Sequence, residues 1–249
     1  DEGQIGTTFS ISGARLRGGG ANIVSVTLVG IAAEIVSETD DTVHVIVDHA
    51  TPRQGDIVLT ADTGARVVLT NGFSFLEPGA ITSINPSQGQ YGTSVSIIGT
   101  DMAGGGDHVI SVSLAGEDAP ITSQSDTLVV VTSPIGDAQT GPAILVADTG
   151  ATVSLDNGWT FLEAGQVTAS TPNEGTRGTR VVLSGSRLLG GGQSIESVTL
   201  VGIDADVVSF SDDEIHIVVA PGGHPDNGEQ GDVVITADTG ATIIATNAF

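Results

Sequence analysis

Hydrophobic and polar residues alternate along most of this chain. In the middle of the sequence, "TSVSIIG" places Val95 and Ile97 on one face of an extended segment. The later segment "VISVSLAG" places Ile110, Val112 and Leu114 together in the same way. A period of two residues is the pattern of a half-buried β-strand. No stretch shows a convincing helical period, so the pattern predicts an all-β protein.

The strand pattern is repeated three times. A "GGG" triplet begins at Gly18, Gly104 and Gly190, at a constant spacing of 86 residues. A repeat of this length exceeds the ~20–50 residues of a solenoid repeat and fits an autonomous β-sandwich of ~100 residues. We therefore predict three domains, which cover residues 1–79, 80–165 and 166–249.

One loop differs in length between the copies. It reads "DHATPRQG" in the first copy, "PIGDAQTG" in the second and "APGGHPDNGEQG" in the third. The length changes where Pro, Gly and Asn cluster and stays fixed elsewhere, which indicates a surface loop on a constant scaffold.

Turn residues divide the middle copy into about seven short strands, the signature of a sandwich. The segments "PAILVAD" and "ATVSLDNG" flank a "DTG" triplet and predict a hairpin. We expect Asp148 to bond its own backbone and Gly150 to adopt positive φ. A further strand, "WTFLEAG", places Trp159 and Phe161 on one side.

The middle copy resembles an IPT/TIG domain, the immunoglobulin-like fold shared by plexins, some receptors and some transcription factors. The resemblance lies in "ITSINPSQGQYGTSVSIIGTDM", "ISVSLAG", "TLVVVTSP" and "WTFLEAG". It implies three tandem immunoglobulin-like β-sandwich domains of IPT/TIG type arranged end to end. The family mostly supplies spacers, stalks and protein-contact modules. Members that bind DNA use basic loops, which this chain does not have.

The first and third copies are shorter than the second. Aligned on the repeat, Asp1 corresponds to Ser87 and Phe249 corresponds to Trp159. Repeat 1 is therefore expected to lack its first strand, and repeat 3 the rest of its last strand. We favour a window from a longer array as the explanation. The alternative is strand exchange between subunits.

The predicted linkers are short, with only "EPG" or "EAG" between the last strand of one copy and the first strand of the next. So short a connection restricts motion between domains and favours a stiff rod.

The charge is one-sided and narrows the range of partners. The chain has 30 acidic residues against 7 basic ones, for a formal net charge of −23. Such a surface repels nucleic acid and anionic lipid. No apolar run reaches the ~20 residues of a membrane helix, so we expect no membrane insertion. The absence of cysteine excludes disulfides, thiolate metal sites and a cysteine nucleophile.

The acidic residues of three equivalent turns are the main candidates for chemistry. The pairs Asp40–Asp41 and Asp212–Asp213 correspond to Asp126 of the middle copy. They are either solvated turns or part of a Ca²⁺ site, since Ca²⁺ takes six to eight oxygen ligands. No loop carries a D-x-D-x-D-G arrangement, so the turn is the preferred interpretation.

The other motifs also have structural explanations. The "DTG" triplet marks aspartic-protease sites, but here it occurs once in each small domain, inside a predicted hairpin. The "GGG" triplet precedes no helix and no GK[ST], which predicts a plain loop rather than a phosphate site. His44 and His216 occupy equivalent strand positions without visible metal partners. We therefore assign no catalytic, cofactor-binding or metal residue and expect no enzyme.

Two functions fit these features. The first is a structural component of an extracellular or cell-surface filament, stalk or appendage, which acts by rigid linkage and by association with neighbouring or identical repeats. The alternative is a cell-surface adhesion or recognition module that binds a protein or glycan through variable loops such as Pro221–Gly231.

Overall fold

The structure is a computed structural model that describes residues 1–220 and 230–249. Its strands fall into three groups, called units 1, 2 and 3, and each group encloses its own hydrophobic core. The chain is all-β with immunoglobulin-like units in tandem, as predicted. The described residues include no helix long and apolar enough to cross a membrane. Most of the predicted variable loop Pro221–Gly231 lies outside the described residues.

The strands of unit 1 are β1 (Glu2–Gly3), β2 (Thr8–Ser12), β3 (Ile23–Leu28), β4 (Ile31–Glu38), β5 (Thr42–Ile46), β6 (Arg53–Ala61) and β7 (Arg66–Phe75). Those of unit 2 are β8 (Ala80–Asn85), β9 (Gln88–Gly89), β10 (Ser94–Thr100), β11 (Val109–Leu114), β12 (Glu117–Asp118), β13 (Ile121–Gln124), β14 (Leu128–Thr132), β15 (Gln139–Ala147) and β16 (Thr152–Phe161). Those of unit 3 are β17 (Gln166–Thr171), β18 (Arg180–Ser186), β19 (Ile195–Leu200), β20 (Ile203–Phe210), β21 (Glu214–Val219), β22 (Val233–Ala237) and β23 (Thr242–Ala245).

Unit 2 is a sandwich of two sheets, with strand orders β13-β14-β10-β8 and β12-β11-β15-β16-β9. In units 1 and 3 one long strand, β4 or β20, pairs with both halves of the sandwich. The corresponding segment of unit 2 is divided into β12 and β13 by Ala119 and Pro120. Proline cannot donate to a sheet ladder, which accounts for the interruption at this point.

The alternating pattern predicts most of the core of unit 2. Val95 and Ile97 are completely buried, as expected. Ile110 was predicted to share the face of Val112 and Leu114, but it is 57% exposed. A bulge in β11 shifts the register, so Val109 is buried instead. An extra residue at a bulge reverses the alternation on one side of it.

The segment expected to form two strands around "DNG" is one ten-residue strand, β16. Asn157 adopts a positive φ of 53° within it, and the pairing with β15 shifts between Gly141 and Ala143. The strand therefore bends at this point without ending. Trp159 and Phe161 follow the bend, and both rings are buried and packed edge to face.

Separate cores predict that a cavity in one unit destabilises that unit most. Leu145→Ala removes a fully buried side chain from unit 2 and is expected to cost about 2–5 kcal/mol. Trp159 is the only tryptophan of the chain, so its fluorescence during urea unfolding reports on unit 2. The matched control is Leu59→Ala, at the equivalent position of unit 1. Equal shifts of the Trp159 midpoint in both variants would contradict separate cores.

Candidate functional site: the junctions between units

The most extensively repeated site in the structure is the contact between consecutive units. Junction 1 joins units 1 and 2, and junction 2 joins units 2 and 3. Each junction consists of a Gln-x-Gly-Thr loop from the first unit, the linker, and the "DTG" turn and "GGG" loop of the second unit. The loops are 4–8 and 90–94, the linkers 76–79 and 162–165, the turns 148–152 and 238–242, and the glycine loops 104–106 and 190–192.

Two backbone hydrogen bonds hold junction 1 together. The amide of Thr8 donates to the carbonyl oxygen of Thr149 at 2.8 Å. In the opposite direction, the amide of Thr152 donates to the carbonyl oxygen of Ile5 at 3.0 Å. The two chain segments therefore meet like a short piece of β-ladder.

Junction 2 repeats the same pair of bonds. The amide of Ser94 donates to the carbonyl oxygen of Thr239, and the amide of Thr242 donates to that of Tyr91, both at 2.8 Å. The "DTG" triplet thus has a role beyond closing a hairpin, because the same turn attaches its unit to the preceding one.

Glycine on both sides allows this close approach. A β-carbon added to Gly6 would lie 2.7 Å from the carbonyl oxygen of Gly150, and one added to Gly92 would lie 2.8 Å from that of Gly240. Gly150 and Gly240 adopt φ values of 85° and 84°, which confirms the positive φ expected for the turn. Any side chain here would push the two backbones apart.

A buried glutamine fixes the linker in each junction. The Gln4 Oε1 atom accepts a hydrogen bond from the Gly79 amide at 2.6 Å. The Gln90 Oε1 atom accepts one from the Gly165 amide at 2.8 Å. Both glutamines are at least 96% buried, with exposures of 2% and 4%. Each linker is therefore held by a bond to the unit that it leaves.

The linker leucine packs against the "GGG" loop of the next unit. A β-carbon on Gly191 would lie 2.7 Å from Leu162 Cδ1, and one on Gly105 would meet Leu76 Cδ1 even more closely. The triplet was predicted to be a plain loop, but it also forms the surface against which the leucine of the preceding linker packs. Its third glycine, such as Gly192, leaves no room for a side chain beside the carboxylate of Asp238.

The "DTG" aspartates fix these glycine loops from one side. We expected Asp148 to bond its own turn, but its Oδ1 atom accepts from the Asp107 amide at 3.1 Å, just beyond the glycines. Asp238 accepts from the Gln193 amide at 3.1 Å in the same way. In unit 1, Asp62 accepts from the Ala21 amide at 3.2 Å. The carboxylate of each "DTG" aspartate thus joins two loops that are far apart in the sequence.

The acidic turns considered for Ca²⁺ fix the same loops from the other side. Asp40, Asp126 and Asp212 each accept a backbone hydrogen bond from the residue just before the glycine loop of their own unit, at 2.9–3.0 Å. These bonds account for the repeated aspartate. Within residues 1–220 and 230–249, no group of three or more His, Asp or Glu side chains is arranged to hold a metal ion.

Two arginines form ion pairs near the glycine loops. Arg17 binds Glu38 at 2.9 Å, and this hydrogen bond raises the pKa of the Arg17 guanidinium. Arg187 reaches the second linker, where it bonds Glu163 at 3.1 Å and the carbonyl oxygen of Ala164 at 3.1 Å. Junction 2 therefore has an additional electrostatic contact, whose free energy is small because the pair is solvent-exposed.

The strand histidines do not belong to the junctions. His44 bonds the Ser10 hydroxyl at 2.7 Å, and His216 contacts the Glu214 carboxylate on its own strand. Both pairs are exposed. The structure does not bring these histidines together with other residues singled out from the sequence.

The two glutamines and the two linker leucines are the functional residues that the sequence analysis missed. The recurring strings "GQIGT" and "GQYGT" are the signal that would have identified Gln4 and Gln90. Unit 3 has Thr176 at the equivalent position. Its loop is closed as in the other units, because the Thr176 amide donates a hydrogen bond to the Oγ1 atom of Thr179. The repeated "FLE" before each linker marks the leucines.

Comparison with known proteins identifies part of this chain. The family model for the IPT/TIG domain matches residues 80–161, which include all the strands of unit 2. No curated protein matches the chain.

Several solved structures are similar to the chain at low sequence identity. The Plexin A4 extracellular region is 15% identical with a TM-score of 0.49, over 95% of this chain and 22% of that chain. The I9–I11 tandem of titin is 12% identical with a TM-score of 0.29, over 98% and 94%. A Bacteroides ovatus SGBP-B in complex with a mixed-linkage heptasaccharide is 14% identical with a TM-score of 0.29, over 98% and 63%. The chain thus spans less than a quarter of the plexin region.

The identification agrees with the observed architecture of unit 2. Its sandwich begins with β8 at Ala80 and ends with the aromatic strand β16 at Phe161, the same limits as the family match. Units 1 and 3 repeat its "DTG" turn, its "GGG" loop and most of its strands. Residues 80–161 of this chain are an IPT/TIG domain, flanked on both sides by immunoglobulin-like units of the same design.

Proposed function

We propose that this chain is a stiff spacer in an extracellular or cell-surface filament, stalk or appendage. The observation that carries the proposal is the repetition of one set of junction contacts at both junctions. Each has two backbone bonds, a glutamine bond to the linker, and a leucine against a glycine loop. Tandem domains joined by a mobile linker do not require any of these contacts.

Because the junctions are alike, each added unit lengthens the array in the same way. Each unit has its own core, so the units are independent in packing but fixed in orientation by the same bonds. Identical contacts favour the same rotation from one unit to the next. The immunoglobulin-like fold is typical of non-catalytic proteins, and a mechanical role needs no active site. The chain does not serve as an enzyme in this proposal.

Exposed apolar side chains also recur between units. Val24 and Ile110 occupy equivalent strand positions in units 1 and 2 and are 60% and 57% exposed. Exposed apolar residues at equivalent positions are suited to side-by-side association of like arrays, since units 1 and 2 offer the same contact, although unit 3 has Glu196 at this position. This supports self-association as part of the proposed role.

The stiffness is tested by removing the glutamine bonds. In the Gln4→Ala/Gln90→Ala variant we expect small-angle X-ray scattering to show a broader distribution of long distances. We expect the Gly165 amide to exchange with solvent about fivefold faster, because a lost hydrogen bond costs about 1 kcal/mol. Gln88→Ala is the control, since Gln88 is exposed on β9 close to Gln90.

Unchanged scattering and unchanged Gly165 exchange in the double variant would reject the junctions as the source of stiffness. Broad scattering already present in the unmodified chain would reject the spacer proposal itself. Surface location is tested separately, by antibody labelling of intact cells. Labelling only after permeabilisation would reject the extracellular part of the proposal.

A recognition module is the second candidate, and one feature of unit 3 favours it. Phe210 is 43% exposed at the end of β20, next to Val208, which is 65% exposed. The positions equivalent to Phe210 are Glu38 and Gln124, which accept hydrogen bonds from Arg17 and from the Val109 amide of their own units. An exposed aromatic that stands at this position in unit 3 alone is a feature of a binder, because its ring offers an apolar face to a protein or glycan.

This candidate predicts a specific effect of Phe210→Ala. On an array of plant and bacterial glycans, the unmodified chain should bind a defined set, and the variant should lose at least about tenfold in affinity, equivalent to 1.4 kcal/mol. Ile110→Ala, a similarly exposed apolar residue in unit 2, should bind as before. Absence of glycan binding by the unmodified chain would reject glycan recognition.

A further inference from the structure

Junction 2 contains a cleft beside its linker. The cleft has a volume of about 590 Å³, within the ~300–1,000 Å³ of small-molecule sites. Unit 2 and the linker form one side of it, and unit 3 forms the other. Gly191 and Gly192 line part of it and add no side chains. The side chains that line the cleft belong to Gln90, Leu162, Glu163, Arg187, Leu189 and Asp212.

Two side chains of the cleft have hydrogen-bond donors that the protein does not use. The Gln90 Oε1 atom accepts from the Gly165 amide, but no described residue accepts a hydrogen bond from the Gln90 Nε2 group. Gln90 is only 4% exposed, so an unused donor at this position favours a ligand that accepts. Arg187 is fixed through Nε by Ala164 and through Nη1 by Glu163. Its Nη2 group has no acceptor among the described residues.

Two carboxylates of the cleft provide acceptors. Glu163 lies 3.1 Å from the Arg187 guanidinium, and its side chain is 69% exposed. Asp212 accepts a hydrogen bond from the Leu189 amide through Oδ1, at 3.0 Å. Its other oxygen accepts none from the described residues. A donor and an acceptor therefore stand side by side at the linker, which suits a hydroxyl group, because a hydroxyl donates and accepts at one atom.

Phe210 adds an aromatic face next to the cleft. Leu189 and Phe210 occupy the positions that Arg17 and Glu38 hold in unit 1, where the two side chains are 2.9 Å apart. Unit 3 thus has two neighbouring apolar residues in place of an ion pair. Phe210 is 43% exposed, so its ring is available for contact beside Leu189.

Junction 1 has the same structural bonds but not the same cleft residues. Asp101 and Ala103 hold the positions of Arg187 and Leu189. A further carboxylate replaces the guanidinium donor, and a methyl group replaces the leucine side chain. The features confined to junction 2 are therefore not needed to join two units, and they indicate a ligand at junction 2.

The charges of the cleft narrow the class of ligand. Two carboxylates stand against one guanidinium, and the whole chain carries a net charge of −23, so an anion is repelled. Arg187 already pairs with one of the carboxylates. Within residues 1–220 and 230–249, no three His, Asp or Glu side chains are grouped to hold a metal ion. A neutral molecule with several hydroxyl groups and one apolar face matches these groups, and its desolvation is less costly than that of an ion.

We propose that this cleft binds a short neutral saccharide. Hydroxyl groups of the sugar bond Glu163, Arg187 and the Gln90 Nε2 group, and its C–H face packs against Leu189 and Phe210. The inference rests on the second candidate function, recognition, and gives it a site and a ligand class. It is independent of the spacer role.

The test is an NMR titration of the full chain with maltotriose, cellotriose, xylotriose and N-acetylchitotriose. We expect at least one of them to shift the side-chain amide of Gln90 and the backbone amides of Gly191 and Gly192. Trigalacturonate, Ca²⁺ and an acetylated trialanine amide should leave these signals unchanged. Absence of a shift with every neutral trisaccharide at about 10 mM, where a Kd of about 1 mM gives nearly full occupancy, would overturn the proposal. A response to the acidic trimer, the metal or the peptide alone would overturn the ligand class.

A double variant rebuilds the ion pair of unit 1 in unit 3. In Leu189→Arg/Phe210→Glu the two side chains can pair as Arg17 and Glu38 do, so urea unfolding should stay nearly unchanged. The apolar side of the cleft is lost, and we expect saccharide binding to weaken at least about tenfold. Binding that persists unchanged in this folded variant would overturn the site.

A single variant tests the unused donor. Gln90→Glu keeps an oxygen for the Gly165 amide but removes the Nε2 group, and it should weaken saccharide binding about fivefold. The matched control is Gln88→Glu, which adds the same charge outside the cleft and should bind as the unmodified chain does. If Phe210→Ala weakens binding while Gln90→Glu and Gly191 show no effect, recognition stands and the cleft is overturned as its site.

Discussion

Consecutive units of this protein can bond backbone to backbone only because glycine stands on both sides of the contact. At junction 1 the peptide at Gly6 lies so close to Gly150 that no β-carbon fits between them. This proximity brings Thr8 and Thr152 within hydrogen-bonding distance of the neighbouring unit. The constraint is primarily steric, and the hydrogen bonds depend on it. A methyl group between the two backbones would push them apart and separate each donor from its acceptor.

The junction is supported by bonds inside each unit. The Asp126 carboxylate binds one end of the glycine loop of unit 2, and Asp148 binds the other end. The loop fixed in this way receives Leu76 of the preceding linker. The same hairpin turn thus shapes its own domain and places the surface that contacts its neighbour. A net charge of −23 is compatible with this arrangement, because many of the recurring carboxylates accept hydrogen bonds from backbone amides.

The units tolerate variation in their sheets more readily than at their contacts. Pro120 divides one strand of unit 2, while the corresponding β4 and β20 are continuous. The sandwich remains closed in each case, because the buried faces of the other strands are preserved. Both junctions, in contrast, use the same glutamine, glycine and leucine positions. A change in pairing can be absorbed within one sheet, but the proposed stiff spacer requires the same contact at each step.

The sequence alone determined the all-β class, the threefold repeat, the placement of Trp159 and Phe161 on one face of a strand, and the positive φ of Gly150. These properties follow from local patterns: alternation selects a strand face, and "DTG" selects a turn. The domain borders at 79/80 and 165/166 remain predictions. Tertiary structure decided that Ile110 faces solvent, that Asp148 bonds Asp107, and that Gln90 binds the next linker. The physical reason is that a bulge and a hydrogen-bond acceptor depend on which distant segment lies alongside, and the local period carries no information about that partner.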